Sequence, residues 1–192
     1  MRKNKIFVKK VPFYKKKEFM NYLLGTIIIL VMVGGGIGMW PDDQDKVEVD
    51  DREFVSTDYG WQAYYGDSKL VLTMNPLDLN VSLANVDLGF LSRLSKVYLS
   101  INPYQDYRNA VYDFQYNVNL PQVVYSCYED SELCSEMVIK TCDDASSSVG
   151  VVVFKESEED RISLENNCLT IEGKDLLKVT DKLILSYYEN KQ

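Results

Sequence analysis

Twenty-two consecutive residues without a charge, "FMNYLLGTIIILVMVGGGIGMW" from Phe19 to Trp40, constrain this 192-residue chain more than any other feature. At about 1.5 Å rise per residue, a helix of that length reaches roughly 33 Å, enough for a hydrocarbon core of about 30 Å. The flanks differ in sign. Residues 1–18 carry eight Lys/Arg against one acid, Glu18, whereas Trp40 is followed by "PDDQDKVEVDD". The net charge of −8 hides this split, since the tail is +7 and the remainder −15. The positive-inside rule puts the basic end in the cytoplasm. The expectation is a basic cytoplasmic tail over 1–18, one transmembrane helix over 19–40 that holds the chain in the lipid bilayer, and everything beyond it outside the cell membrane.

The tail is expected to adhere to anionic lipid head groups through Lys15, Lys16 and Lys17, at about 1 kcal/mol for each lysine near the surface. Changing these three residues to Glu should lower the fraction of chains inserted with the N-terminus inside, read by protease access to the C-terminal body. An unaltered fraction would show that the upstream charges suffice. Two other readings of the apolar run exist. The core Leu23–Val33 has the length of a cleaved signal peptide, with Gly36-Ile37-Gly38 as a small-x-small site. Glycine is a poor substitute for the usual alanines there, and the run is full length, so the retained anchor is preferred. Both readings leave residues 41–192 outside the cytoplasm. A soluble core helix is the third. Gly34 and Gly38 form a GxxxG pair able to pack two membrane helices, or are simply tolerated at a helix end.

An external body changes what its cysteines mean. Cys127, Cys134, Cys142 and Cys168 all follow the apolar run, and their number is even. Outside the cytoplasm, paired thiols oxidise and stay oxidised. Zinc is disfavoured, because the chain has no CxxC and no His. Four cysteines allow three pairings. Cys127–Cys134 is favoured because it closes the short polar loop "CYEDSELC". Cys142–Cys168 is favoured because it would join the ends of two apolar segments, "MVIKTC" and "NNCLTIEG", as neighbouring strands. Cys142, set between Asp143, Asp144 and three serines, invites a catalytic reading, but no His is present to make the thiolate.

The body divides into an acidic linker over 41–53 and an α/β domain over 54–190. Asp42, Asp43, Asp45, Asp50 and Asp51 read as a solvated tether rather than a cation site. Trp61, Ala63 and Tyr65 alternate with polar partners, Gly66-Asp67 turns the chain, and Leu70, Leu72 and Met74 alternate on the return, which predicts a hairpin. Its Trp61, Tyr64 and Tyr65 are either a grip for a glycan or peptide or cross-strand packing, the packing being preferred. "DLGFLSRLSK" predicts a short helix with Leu88, Leu91 and Leu94 inward. "VYLSI" predicts a strand. Asn102, Pro103 and Gln105 predict the start of a helix with Tyr107, Ala110, Val111 and Phe114 on one face, stopped by Pro121. "MVIKTC" and "VGVVVF" read as central strands, and "RISLE" and "CLTIEG" as a hairpin around Asn166-Asn167. An amphipathic helix entered at Asp175 ends the domain. Interleaved strands and helices predict an α+β (mixed α/β) domain, a mixed sheet with about three helices packed on it.

Chemistry is scarce. "GGGIG" lies in the apolar run without a following Lys-Ser/Thr, so no phosphate loop is present. A body at −15 is no nucleic-acid binder. No cofactor or metal is expected. The segments "LTMNPLDL", "VYLSINP", "VIKTCDDA…VVVF" and "NNCLTIEGKDLLKVTDKLIL", in this order, resemble a group of uncharacterised archaeal envelope proteins with a basic tail, one membrane helix and a small cysteine-bearing external domain. The likeness covers most of residues 55–188. "TC-x-DA" and the downstream "C-x-x-I-x-G" carry it, and "SYYENKQ" departs from the more apolar finish usual there. The resemblance implies topology and fold, and no activity. The expected function is a structural or interaction module of the cell envelope that binds another envelope protein. The alternatives are a membrane-tethered enzyme using carboxylates or Cys142, and an accessory subunit of a membrane complex.

Overall fold

The structure is a computed structural model that describes residues 21–29, 45–84 and 86–190. Two compact units divide at Asp43/Gln44. In the first, residues 21–29 form a helix, α1, inside the apolar run, and its Leu24, Ile27 and Ile28 are exposed. Among the described residues no helix is long and apolar enough to cross a membrane. Most of the expected span, with Gly34 and Gly38, and the tail with Lys15, Lys16 and Lys17, lie outside the described residues.

The second unit is an α+β domain with two sheets. The first sheet is an antiparallel meander of β1 (Lys46–Val49), β2 (Arg52–Thr57), β3 (Gly60–Tyr65) and β4 (Ser68–Leu72), in that order. Its first hairpin corrects the linker expected over 41–53. Asp50 and Asp51 take φ of 48° and 62° and form a two-residue turn, so Val49 pairs with Arg52. Left-handed turn positions favour Asn, Asp and Gly. The acidic composition masked these strands because an antiparallel edge strand keeps one wet face. The β3–β4 hairpin turns at Gly66, φ 59°, as its residues predict. Gly60 is also required: at φ 112° a Cβ would strike the carbonyl oxygen of Leu72.

The second sheet contains β5 (Lys96–Ile101), β6 (Gln122–Cys127), β7 (Val149–Glu156), β8 (Arg161–Glu165) and β9 (Cys168–Gly173), in the order β6-β5-β7-β9-β8. All pairs are parallel except β8–β9, a hairpin turned by Asn166 and Asn167 at φ 46° and 64°. Helices α2 (Arg108–Asn117) and α3 (Leu176–Glu189) cover one face of this sheet. Helix α3 contacts β7 and β9 on one side and β4 on the other. A helix held between two sheets is buried around most of its girth. Leu176, Val179, Thr180, Asp181, Leu183, Ile184, Leu185 and Tyr188 are accordingly all buried. Phe114 of α2 meets Phe154 of β7 edge to face, with ring centroids 5.6 Å apart.

Three segments depart from expectation. Leu88–Arg93 is a 3-10 helix, with Leu88, Leu91 and Leu94 inward as foreseen. Helix α2 begins at Arg108 rather than near Asn102. The preceding turn instead closes the point where the chain leaves β5 on one face and crosses on the other. Gln105 Oε1 accepts from Tyr128 Oη at 3.1 Å and from the Glu156 N–H at 3.1 Å. A topological switch point of this kind often opens a ligand crevice; here Gln105 ties Tyr128 to the end of β7 across it. "MVIKTC" is not a strand: it makes one parallel bridge, Ile139 to Cys127, at the outer edge of β6. β6 itself was not anticipated.

Candidate functional site

A set of buried polar residues ties the two helices to the first sheet. The free edge of β4 is covered by side chains of α2. Asn117 Oδ1 accepts from the Val71 N–H at 2.9 Å, and its Nδ2 donates to Val71 O at 2.6 Å. Asp113 accepts from the Thr73 N–H at 2.8 Å and from Thr73 Oγ1 at 3.0 Å. Residues i and i+4 of a helix rise about 6 Å, close to the roughly 6.8 Å between strand residues i and i+2. Asp113 and Asn117 can therefore stand in for a neighbouring strand. Asp181 of α3 continues the row, accepting from the Met74 N–H at 2.9 Å.

Asp113 and Asp181 are 2% and 0% exposed. Burial, and then the Asp113 charge, push the Asp181 carboxyl up to about 9. Asp181 Oδ1 receives no donor from any other group. The neighbouring Asp113 carboxylate favours the protonated form of Asp181. At the other end of α3, burial raises the Glu189 carboxyl, and Asp50 in the β1–β2 turn raises it further against the opposing pull of Lys182.

Both expected cysteine pairs are bonded. Cys127–Cys134 has Cα atoms 6.1 Å apart, Cys142–Cys168 has them 5.2 Å apart, and no described cysteine is free. The second bond is reached differently from the expectation. Cys142 opens a 3-10 turn, capped by Thr141 and Asp144, that lies on the sheet face opposite the helices. There Val151, Val153 and Cys168 form a small separate cluster with Tyr98, Tyr128 and Ala145 packed on it. Ser100 Oγ donates to Lys140 O at 2.6 Å, fixing the same segment one strand over. The serines and aspartates around Cys142 thus belong to a strap held over the sheet.

Helix α2 turns its other face to solvent. Tyr112 and Tyr116, one helical turn apart, are 59% and 53% exposed, with stacked rings at 6.2 Å. Their rings form a ridge between two clefts. The first, about 280 Å³, is lined by Tyr59, Gln62, Lys69 and Val71 of the first sheet and by Tyr112, Asp113 and Tyr116. The second, about 470 Å³, lies between α2 and the β5–β6 side of the second sheet. Its lining includes Arg108, Val111, Tyr112 and Gln115 from α2, and Ile101 and Tyr125 from the strands. Tyr125 Oη donates to Gln115 Oε1 at 2.5 Å across its floor. Rigid exposed tyrosines, which offer broad apolar contact with a polar tip, are the residues binding surfaces favour.

The aromatic cluster foreseen on the first hairpin divides. Tyr65 is buried against Tyr188, with centroids 5.4 Å apart, and carries the Arg52 guanidinium 4.7 Å from its ring. Trp61 packs on the core, and Tyr64 is exposed on the opposite face. Tyr112 and Tyr116 were missed as site residues. Their signal was in the sequence: an inward face made of Ala110, Val111 and Phe114 leaves Tyr112 and Tyr116 outside, in a chain with 14 Tyr. No protein-family model, curated protein or solved structure matches the chain.

Proposed function

We propose that this chain is a single-pass membrane protein whose external domain is a non-catalytic binding module of the cell envelope, of the archaeal kind its motifs resemble. The observation that carries the reading is the stacked, exposed Tyr112–Tyr116 ridge between its two clefts. A ridge of this kind is suited to seat another envelope protein. Catalysis has no place in the proposal. Cys142 has no thiol to offer, and both Asp113 oxygens already accept bonds from Thr73.

The test is capture from detergent-solubilised native membranes, with the full chain as bait beside Tyr112→Ser/Tyr116→Ser. Exposed rings contribute little to folding, so the variant should keep the native melting temperature. The expected result is a protein recovered reproducibly with the native chain and lost with the variant. Recovery of the same proteins by both, or of the bait alone, would overturn the reading.

A further inference from the structure

We infer that the outer edge of β6 takes up an extended polypeptide segment of the partner, which adds a strand there and lays alternate side chains into the second cleft against α2. This names the partner chemistry for the binding surface above and rests on that reading.

β6 is the last strand of its sheet. Its even-numbered residues bond toward β5, and the Tyr128 N–H extends that ladder to Ile101 O at 3.4 Å. The odd-numbered residues therefore face outward. At Cys127 the chain fills this edge with its own backbone: the Cys127 N–H donates to Val138 O at 3.0 Å, and the Lys140 N–H to Cys127 O at 2.8 Å. Upstream, the N–H and C=O groups of Val123 and Tyr125 point the same way, and no strand among the described residues pairs with them. Such groups are a template that extended backbone satisfies.

The contrast with the other sheet edges sharpens the point. The β4 edge is covered by Asn117 and Asp113. β1 carries Lys46 and Glu48, and β8 carries Arg161 and Glu165, the charges by which proteins keep edges from pairing. β6 reads "QVVYSC", with neither a charge nor a proline. Among the described residues, the uncharged, uncovered edge is also the one bordered by the second cleft, where Tyr125 and Ile101 form part of the floor and Arg108 is the only charged lining residue. Side chains two apart on an added strand share one face. The segment that fits has two apolar residues at that spacing and a carboxylate placed to meet Arg108.

To test this, the full-length chain in detergent is panned against a phage-displayed library of random linear peptides, and a recovered peptide is titrated by fluorescence anisotropy. Recovered sequences should alternate apolar residues and carry an acid. Val123→Pro removes one outward N–H while sparing the bonds to β5, and should weaken binding at least tenfold. Arg108→Glu should weaken it as well, without any change of backbone. Bound peptide should slow amide exchange at Val123 and Tyr125. Equal affinity for Val123→Pro with both amides unprotected, or no enrichment over empty phage, would overturn strand addition. Sedimentation as a dimer that Val123→Pro dissolves would put a second copy on the edge and overturn the partner named here. If peptide binding fails while Tyr112→Ser/Tyr116→Ser still abolishes envelope capture, strand addition alone falls. If capture is indifferent to the ridge variant, the binding reading beneath it falls.

Discussion

Asp181→Asn should raise the melting temperature at pH 7.5 by roughly 6 °C, about 2 kcal/mol in a domain of this size. The sign follows from proton linkage. Folding holds a proton on Asp181 up to about 9, whereas an unfolded aspartate loses it near its ordinary value. The stability tied to this group is fully present below the unfolded value and is lost as pH rises through the folded one, at up to about 1.4 kcal/mol per pH unit. Asparagine is neutral at every pH. Its oxygen can keep the Met74 N–H, and its amide can donate to Asp113. Thermal melts from pH 4 to 10 should therefore fall steeply for the native chain and much less for the variant. A residual slope of the same sign is expected from Glu189, which is raised for the same first reason, burial. Asp113→Asn is the control. It places an amide where two Thr73 donors already point, and should destabilise. A native profile that rises from pH 5 to 9 would contradict a proton held on Asp181 in the folded state.

The second large effect concerns the strap over the sheet. Replacing both Cys142 and Cys168 with Ala should cost about 2–5 kcal/mol, with the loop-entropy estimate for a separation of 26 residues near 3.5 kcal/mol. The corresponding change at Cys127 and Cys134 should cost less, about 2.4 kcal/mol on the same basis for a separation of 7. Loss of Cys142–Cys168 also frees the turn that covers Val151 and Val153, so limited proteolysis should cut first between residues 143 and 148. Equal costs for the two pairs, with no new cleavage site, would show that the strap is held by packing rather than by its covalent link.

How much of this was legible depended on how local the determinant was. The turns at Gly66-Asp67 and Asn166-Asn167 announce themselves, because each needs residues tolerant of positive φ between two alternating runs. Helix α3 was readable from its period and from Asp175, whose side chain accepts from the Lys178 N–H as an N-cap should. The start of α2 was misread because Asn102, Pro103 and Gln105 are equally suited to a capped turn, and distant Tyr128 and Glu156 decide which one forms. "MVIKTC" has strand composition, but two 3-10 turns and the Cys127–Cys134 bond leave it too little straight chain to pair more than once. The acid pair was beyond reach. Asp113 meets Thr73 across 40 residues and Asp181 meets Met74 across 107, and no local pattern marks either contact.

A body placed outside the cytoplasm, as proposed above, matures where thiols are oxidised. Intact-mass analysis of the chain taken from its native host, alkylated before any reductant is added, tests this directly. The predicted result is no alkylated cysteine, with a non-reducing digest yielding Cys127 linked to Cys134 and Cys142 linked to Cys168. Four alkylated cysteines would contradict it, placing the body in a reducing compartment and returning Cys142 to the list of reactive groups.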